Sequence, residues 1–191
     1  MPKSKMKNTF FTVVLICTLL LTSCTKEATI NPFLIEKHHI GLLTDSTYVK
    51  ELDLIFSKDS VVKHIAGDEF AGSVNKIEIF EKGGRKLLDL SPREALDSAS
   101  LISSVRIIDD RYKTEKNISI LSTFKELNDA YKISKIDNLI DAIVISVNEL
   151  NASFTIDKKE LPASMRFDMS ITIDPIQIPE KAKIKYFMLH W

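Results

Sequence analysis

One short motif occurs twice in this chain, and that duplication constrains the fold more than any other feature. Ser46-Thr47-Tyr48-Val49-Lys50-Glu51-Leu52 returns about 75 residues later as Ser122-Thr123-Phe124-Lys125-Glu126-Leu127, with one residue deleted. An aromatic stands four residues after each leucine, Phe56 and Tyr131. An apolar stretch precedes each copy, Ile40 to Leu43 and Ile118 to Leu121. Both copies read as strand, cap and short helix. Thr123 and Glu126 have the Thr-x-x-Glu spacing of a capping box, which satisfies free backbone N–H groups at a helix start. Asp45, Ser46 and Thr47 all offer N-cap oxygens in the first copy. Tyr48, Leu52, Ile55 and Phe56 then form one apolar stripe at helical spacing, as do Phe124, Leu127 and Tyr131. Helices of about three turns do not persist alone, so each must pack on something.

Sheet is the partner that the pattern supplies. After the first helix, Val61, Val62 and Ile65 mark a strand, and Ile77 and Ile79 alternate with Lys76 and Glu78. Lys82-Gly83-Gly84-Arg85 is a hairpin signal, with Leu88 and Leu90 straddling Asp89 on the return. In the second copy Ile133 and Ile136 follow the helix, Ile143, Ile145 and Val147 alternate, and Asn148 to Asn151 turn into Phe154 and Ile156. Ser91-Pro92-Arg93-Glu94 predicts a short linking helix, Ser as N-cap and Pro at the first position. Leu101 to Ile108, Met169 to Ile173 and Ile184 to His190 read as further strands. The expectation is an α+β fold: antiparallel sheet with two short helices, arranged as tandem β-α-β-β-β units over about residues 39–90 and 116–157.

The N-terminus gives an address. Lys3, Lys5 and Lys7 precede an unbroken apolar stretch from Phe10 to Leu21. As a helix this stretch spans about 18 Å, well short of the ~30 Å hydrocarbon core, so it fits a signal segment better than a membrane span. Ordinary signal peptidase prefers small residues at the last and third-last positions before its cut. Cutting after Ser23 would leave bulky Leu21 at the third-last position. Leu21-Thr22-Ser23-Cys24 instead resembles the lipobox of bacterial lipoproteins: leucine, two small residues, then the cysteine that receives lipid. Cys17, preceded by Ile16, does not compete with Cys24. The chain then divides into a signal peptide (1–23), a lipidated N-terminus and tether (24–35) and the globular domain (36–191).

That resemblance to Gram-negative envelope lipoproteins carries implications of its own. A diacylglycerol and an N-acyl chain, at ~0.8 kcal/mol per buried CH₂, exceed the two lipid signals that stable anchoring needs. Thr25 stands where some inner-membrane lipoproteins carry a retaining aspartate, which implies the outer membrane. Lys26-Glu27 partly resembles a surface-export signal that Ala28 interrupts, so periplasmic and outward orientations both stay open. The two strand–cap–helix stretches are similar to those of small lipoproteins built from tandem strand–helix–hairpin units, such as the outer-membrane assembly lipoprotein BamE. The β-lactamase-inhibitor protein is similar in being two copies of such a unit. In this chain the Gly-hydrophobic-Gly lead into the helix is reduced to Gly41 in the first copy and absent from the second.

Composition narrows the activities. Losing residues 1–23 removes three lysines and no acids, leaving 23 basic against 26 acidic residues and a net charge of about −3. A mildly acidic chain lacks the clustered basic face of a nucleic-acid binder. With Cys17 removed and Cys24 lipidated, a disulfide framework is excluded. Glu36, His38, His39 and His64 are the one candidate metal cluster, without the usual zinc spacings, and neighbouring histidines on a strand face opposite ways. Asp68-Glu69 and Asp109-Asp110 read as solvated turns. Gly67 to Gly72 lacks the ending of a phosphate loop, and no Gly-x-Ser-x-Gly elbow occurs. The expectation is a lipid-anchored, non-enzymatic binding or interaction module, with no catalytic, cofactor or metal residues. Its partners would be the membrane, through the lipid on Cys24, and an envelope protein or surface ligand. An envelope hydrolase and an inhibitor or immunity lipoprotein are the alternatives.

Cys24→Ala should abolish incorporation of labelled fatty acid into the protein. Undiminished labelling of the variant would refute lipidation at this residue.

Overall fold

The structure, a computed structural model, describes residues 31–64 and 76–191, the side chain of His64 excepted. Cys24 and the rest of the signal and tether up to Ile30, together with Ile65, Asp68-Glu69 and Gly67 to Gly72, lie outside the described residues. The unit Asn31–Trp191 contains every element given below.

Three short strands come first: β1 (Leu34–Glu36), β2 (His39–Ile40) and β3 (Leu43–Thr44). A 3-10 turn, Val49–Glu51, runs into helix α1 (Leu52–Ile55). Strands β4 (Ser60–His64), β5 (Lys76–Phe80), β6 (Lys86–Pro92) and β7 (Ile102–Ile107) follow, then the short β8 (Lys113–Thr114). Helix α2 (Phe124–Ala130) leads into β9 (Lys135–Asn138), β10 (Ala142–Val147) and β11 (Ala152–Asp157). After 3-10 turns at Lys158–Glu160, Ala163–Met165 and Pro175–Gln177, β12 (Ile184–His190) closes the chain. The fold is α+β, mostly antiparallel, with two short helices.

Eight strands make one sheet in the order β4-β5-β6-β7-β12-β11-β10-β9, antiparallel throughout. The order mirrors itself about the central β7–β12 pair: each half is a three-strand meander joined to a returning fourth strand. Register lines the inward side chains up in rows. One row crosses all eight strands as Val61, Ile79, Leu88, Ile107, Phe187, Phe154, Ile145 and Ile136. At its centre Phe154 and Phe187 are fully buried and stack with ring centroids 4.4 Å apart. A second sheet, β3-β2-β1-β8, contributes Ile35, Ile40 and Leu43 to the same buried cluster, and the helices add Leu52, Phe56, Phe124, Leu127 and Tyr131. Gly41, in the β2–β3 turn, has φ +58°, and a Cβ there would meet the Pro32 carbonyl oxygen at 2.1 Å.

Both helix starts are held in the same way. Val49 N–H donates to Ser100 O (3.0 Å) and Lys50 N–H to Ser98 O (3.0 Å), while Ile102 N–H donates back to Thr47 O (3.3 Å). In the second half Phe124 N–H donates to Ala182 O (2.8 Å), Lys125 N–H to Glu180 O (3.0 Å), and Ile184 N–H to Ser122 O (3.4 Å). The first-turn amides that a helix leaves free thus bond to the chain entering β7 or β12. Glu51 accepts from Tyr48 N–H at 3.0 Å, and Glu126 from Thr123 N–H at 2.6 Å. In the first copy the residue before the helical turn is Tyr48, which has no short side-chain oxygen. Thr47 Oγ1 accepts from Thr44 N–H instead.

Three expected elements differ, each because side chains or distant backbone take the amides that a strand or helix would use. Ile118 to Leu121 is not a strand: Thr114 Oγ1, Ser122 Oγ and Ser119 Oγ accept from the amides of Ile118, Ser119 and Leu121, local bonds that compete with a ladder. The second unit therefore lacks its expected leading strand, and in the first a hairpin, β2–β3, precedes the helical turn. Ser91-Pro92 ends β6 instead of opening a helix, because Arg93 N–H donates to Leu101 O and Glu94 N–H to Ser100 Oγ. Met169 to Ile173 is irregular: Ser170 N–H donates to Asp168 Oδ1, and Asn138 Nδ2 donates to the carbonyls of Asp168 and Ile171. Among the described residues no helix is long and apolar enough to cross a membrane.

Leu52 and Leu127 are fully buried beneath their helices. Leu52→Ala and Leu127→Ala should each cost about 3 kcal/mol, and Thr123→Ala about 1 kcal/mol, by urea denaturation. A cap substitution costing as much as the leucines would show that the helices are not held by their apolar faces.

Candidate functional site

Among the described side chains the histidines do not converge, and that of His64 lies outside them. His38 Nδ1 lies 2.7 Å from Asp45 Oδ2, and His39 Nδ1 lies 3.3 Å from Glu36 Oε2. Each has its own carboxylate, and among the described residues no group of three metal-ligating side chains forms. The chain's fourth histidine, His190, shares a 2.8 Å hydrogen bond with Ser153 Oγ through Nε2, and burial lowers its pKa. A nucleophile–base pair works when a third group orients the base. Among the described residues nothing hydrogen-bonds the other ring nitrogen of His190.

Asp109-Asp110 departs from the solvated turn that the sequence suggests. The Asp109 side chain is fully buried and paired with both Arg85 and Arg111. Arg111 Nε and Nη2 donate to its two oxygens at 3.0 Å each, while Nη1 and Nη2 reach Glu81 at 2.9 and 3.0 Å. The guanidinium also lies 4.4 Å from the Phe33 ring centroid, and Phe33 meets Tyr112 edge-on. Burial alone would raise the Asp109 pKa, but the Arg111 hydrogen bonds and the charges of Arg111 and Arg85 outweigh it and hold the carboxyl below its ordinary value. Glu81 is likewise lowered, first by its hydrogen bonds from Arg111. Tyr112 is raised by burial and by the Asp109 charge. This knot ties the β5–β6 hairpin to the chain leaving β7.

The outer face of the large sheet carries a second charge cluster. Asp89, 5% exposed, receives Lys86 at 2.7 Å, Arg106 at 2.9 Å and Lys76 at 3.0 Å. Glu78 pairs with the same two lysines. Arg106 also lies over the Tyr186 ring at 5.1 Å. The adjoining groove of about 430 Å³ is therefore close to internally neutralised.

A larger pocket, about 590 Å³, opens where the β9–β10 turn, the end of β11 and the segment around Phe167 meet. Lys158, Lys159, Arg166 and Lys185 line it together with Asp141 and Asp157, and Ile140, Phe167 and Met169 supply apolar surface. Lys158 results from strand alternation: Ala152, Phe154 and Ile156 point inward along β11, and the next inward position is a lysine. Its amide donates to Asp141 O at 2.9 Å, and the residue is 4% exposed. Its Nζ is buried and makes no hydrogen bond. Asp157 accepts from Lys185 Nζ at 3.0 Å and from Lys159 N–H at 2.9 Å. Arg166 is fixed by donating to Leu161 O (2.8 Å) and Lys159 O (3.1 Å). This site was not among those expected from the sequence, although the inward spacing of β11 carried as far as Lys158 marks it.

No protein-family model and no curated protein matches the chain. Among solved structures the chain is similar to the uncharacterized protein yfeY from Escherichia coli, with a TM-score of 0.51 at 14% identity, over 82% of this chain and 99% of that one. At that identity the likeness is one of fold.

The depressed carboxyls fix an acid limb. Asp109 and Glu81 have folded pKa values below their unfolded ones, about 3.9 and 4.3. Their stabilisation is thus complete well above those values and is lost as pH falls through the folded ones. Urea denaturation should show stability falling below about pH 4. Asp109→Asn should cost about 2–3 kcal/mol at pH 7, less than a fully buried pair because both arginines reach solvent, and should flatten that limb. An acid limb unchanged in the variant would contradict this assignment.

Proposed function

We propose that this chain is a lipid-anchored cell-envelope lipoprotein, held at the outer membrane by lipid on Cys24, whose folded body is a non-enzymatic binding module. The observation that carries the address is Leu21-Thr22-Ser23-Cys24 behind a basic and then apolar leader. Two acyl signals anchor a protein stably, so such a body acts where it is tethered. The binding role is supported by how the ionisable side chains are used. Asp109, Glu81 and Arg111 knit loops together, and Asp89 is held among three cations, so these groups serve the fold.

The body is read as two copies of one unit, each a short helix followed by four antiparallel strands. The mirrored strand order and the matching bonds at Val49/Phe124, Lys50/Lys125 and Ile102/Ile184 support that reading. So does the recurrence of Lys-Glu-Leu at equivalent places in the two helical segments.

Crosslinking in intact cells followed by mass spectrometry tests the role. Crosslinks to envelope proteins that disappear in the Cys24→Ala variant are the expected result. Crosslinks confined to cytosolic proteins, or unaffected by the substitution, would overturn it.

A further inference from the structure

We infer that the pocket beside Lys158 binds an anionic amphiphile, its acidic head group received by Lys158 and Arg166 and its apolar chain lying against Ile140, Phe167 and Met169. The inference deepens the binding-module reading by naming a ligand class, and it rests on that reading for its biological setting.

The first support is an unsatisfied charge. A lysine ammonium offers three donors, and buried polar groups nearly always have hydrogen-bond partners. Lys158 is 4% exposed, its Nζ has no hydrogen-bond partner, and it forms no ion pair with any described residue. Asp168 feels the Lys158 charge, yet its carboxylate accepts instead from Ser170 N–H and Ser170 Oγ. Lysine's flexible four-carbon stem lets the ammonium swing toward an oxyanion in the pocket that the residue lines.

The second support is charge complementarity. Lys158, Lys159, Arg166 and Lys185 face two carboxylates, of which Asp157 is already paired with Lys185. Arg166 holds its place through two backbone carbonyls and leaves Nη1 without a hydrogen bond among the described residues. A planar guanidinium beside a mobile ammonium suits a phosphate or carboxylate.

The third support is the apolar wall. Phe167 is 89% exposed, Ile140 70% and Met169 53%, all three on the lining of this one pocket. A free oxyanion would leave that surface in water, whereas a head group bearing an apolar chain covers it.

The test uses the full lipidated chain in a neutral maltoside detergent, titrated with hexyl phosphate, inorganic phosphate or hexanol. Thermal unfolding and ³¹P linewidths are the readouts. At tenfold saturation hexyl phosphate should raise Tm by about 3–5 °C and broaden its own resonance. Inorganic phosphate should do less and hexanol nothing. Lys158→Met keeps the apolar stem; it should fold at least as stably as the parent and lose the response to hexyl phosphate. Phe167→Ser, at an exposed position, should fold normally and weaken hexyl phosphate binding about tenfold while leaving inorganic phosphate unchanged. Equal responses to hexyl and inorganic phosphate would overturn the amphiphile assignment. An undiminished response in Lys158→Met, or none in the parent, would overturn the site. A parent chain that ignores hexyl phosphate yet still crosslinks to envelope proteins would remove this inference and leave the module reading standing.

Discussion

The pairing of β7 with β12 is the contact on which the rest of the molecule depends. It is made between residues far apart in sequence: Ile107 lies opposite Phe187, and Val105 opposite Leu189. Each half of the chain pairs strands that follow one another in sequence, but each meander alone would expose one apolar flank. Joining them turns two small sheets into one inward face of eight strands, with the Phe154–Phe187 stack at the middle. Closing so long a loop is entropically demanding. The compensation is burial of the largest side chains of the core in the rows nearest the joint.

The helices are coupled to that joint through backbone. Neither is long enough to persist by itself. Their first-turn amides donate to Ser98, Ser100, Glu180 and Ala182, the residues that lead into the two central strands. A helix that came away from the sheet would therefore free its own amides and also loosen the entry of β7 or β12. Leu52 and Leu127 then seal the apolar side of the same contact. The arrangement gives short, weak helices a fixed position, and it gives the central strands a fixed beginning.

Much of this was legible in the sequence where one physical rule acts alone. Period-two alternation located β5 and β10, the Asn148–Asn151 turn located β11, and the β12 limits are the expected Ile184 to His190. The Thr123–Glu126 spacing located α2. Reading failed where hydroxyl or amide side chains compete for backbone, as at Ser119, Ser122 and Asn138. It failed again where a distant strand takes the amides of a good helix start, as at Arg93 and Glu94. The role of Asp109 depends on Glu81 and Arg85, which no local window joins to it. Lys158 is different, since the inward spacing of Ala152, Phe154 and Ile156 along β11 runs straight to it.

Asp89 shows why an ionic cluster belongs on a sheet that already has a full apolar face. Hydrophobic rows favour one register because a one-residue slip turns every side chain over. In β6 that protection is weak, since Leu87, Leu88 and Leu90 are all buried and Leu87 stands where the pairing with β5 shifts register. A slip would still present leucine to the core. It would also carry Asp89 away from Lys76, Lys86 and Arg106 and into the layer of Ile79 and Ile107. Burying an unpaired carboxylate there costs far more than a well-made ion pair contributes. The cluster thus acts less by stabilising the observed pairing than by penalising its nearest competitor, at the strand where the apolar pattern alone is ambiguous.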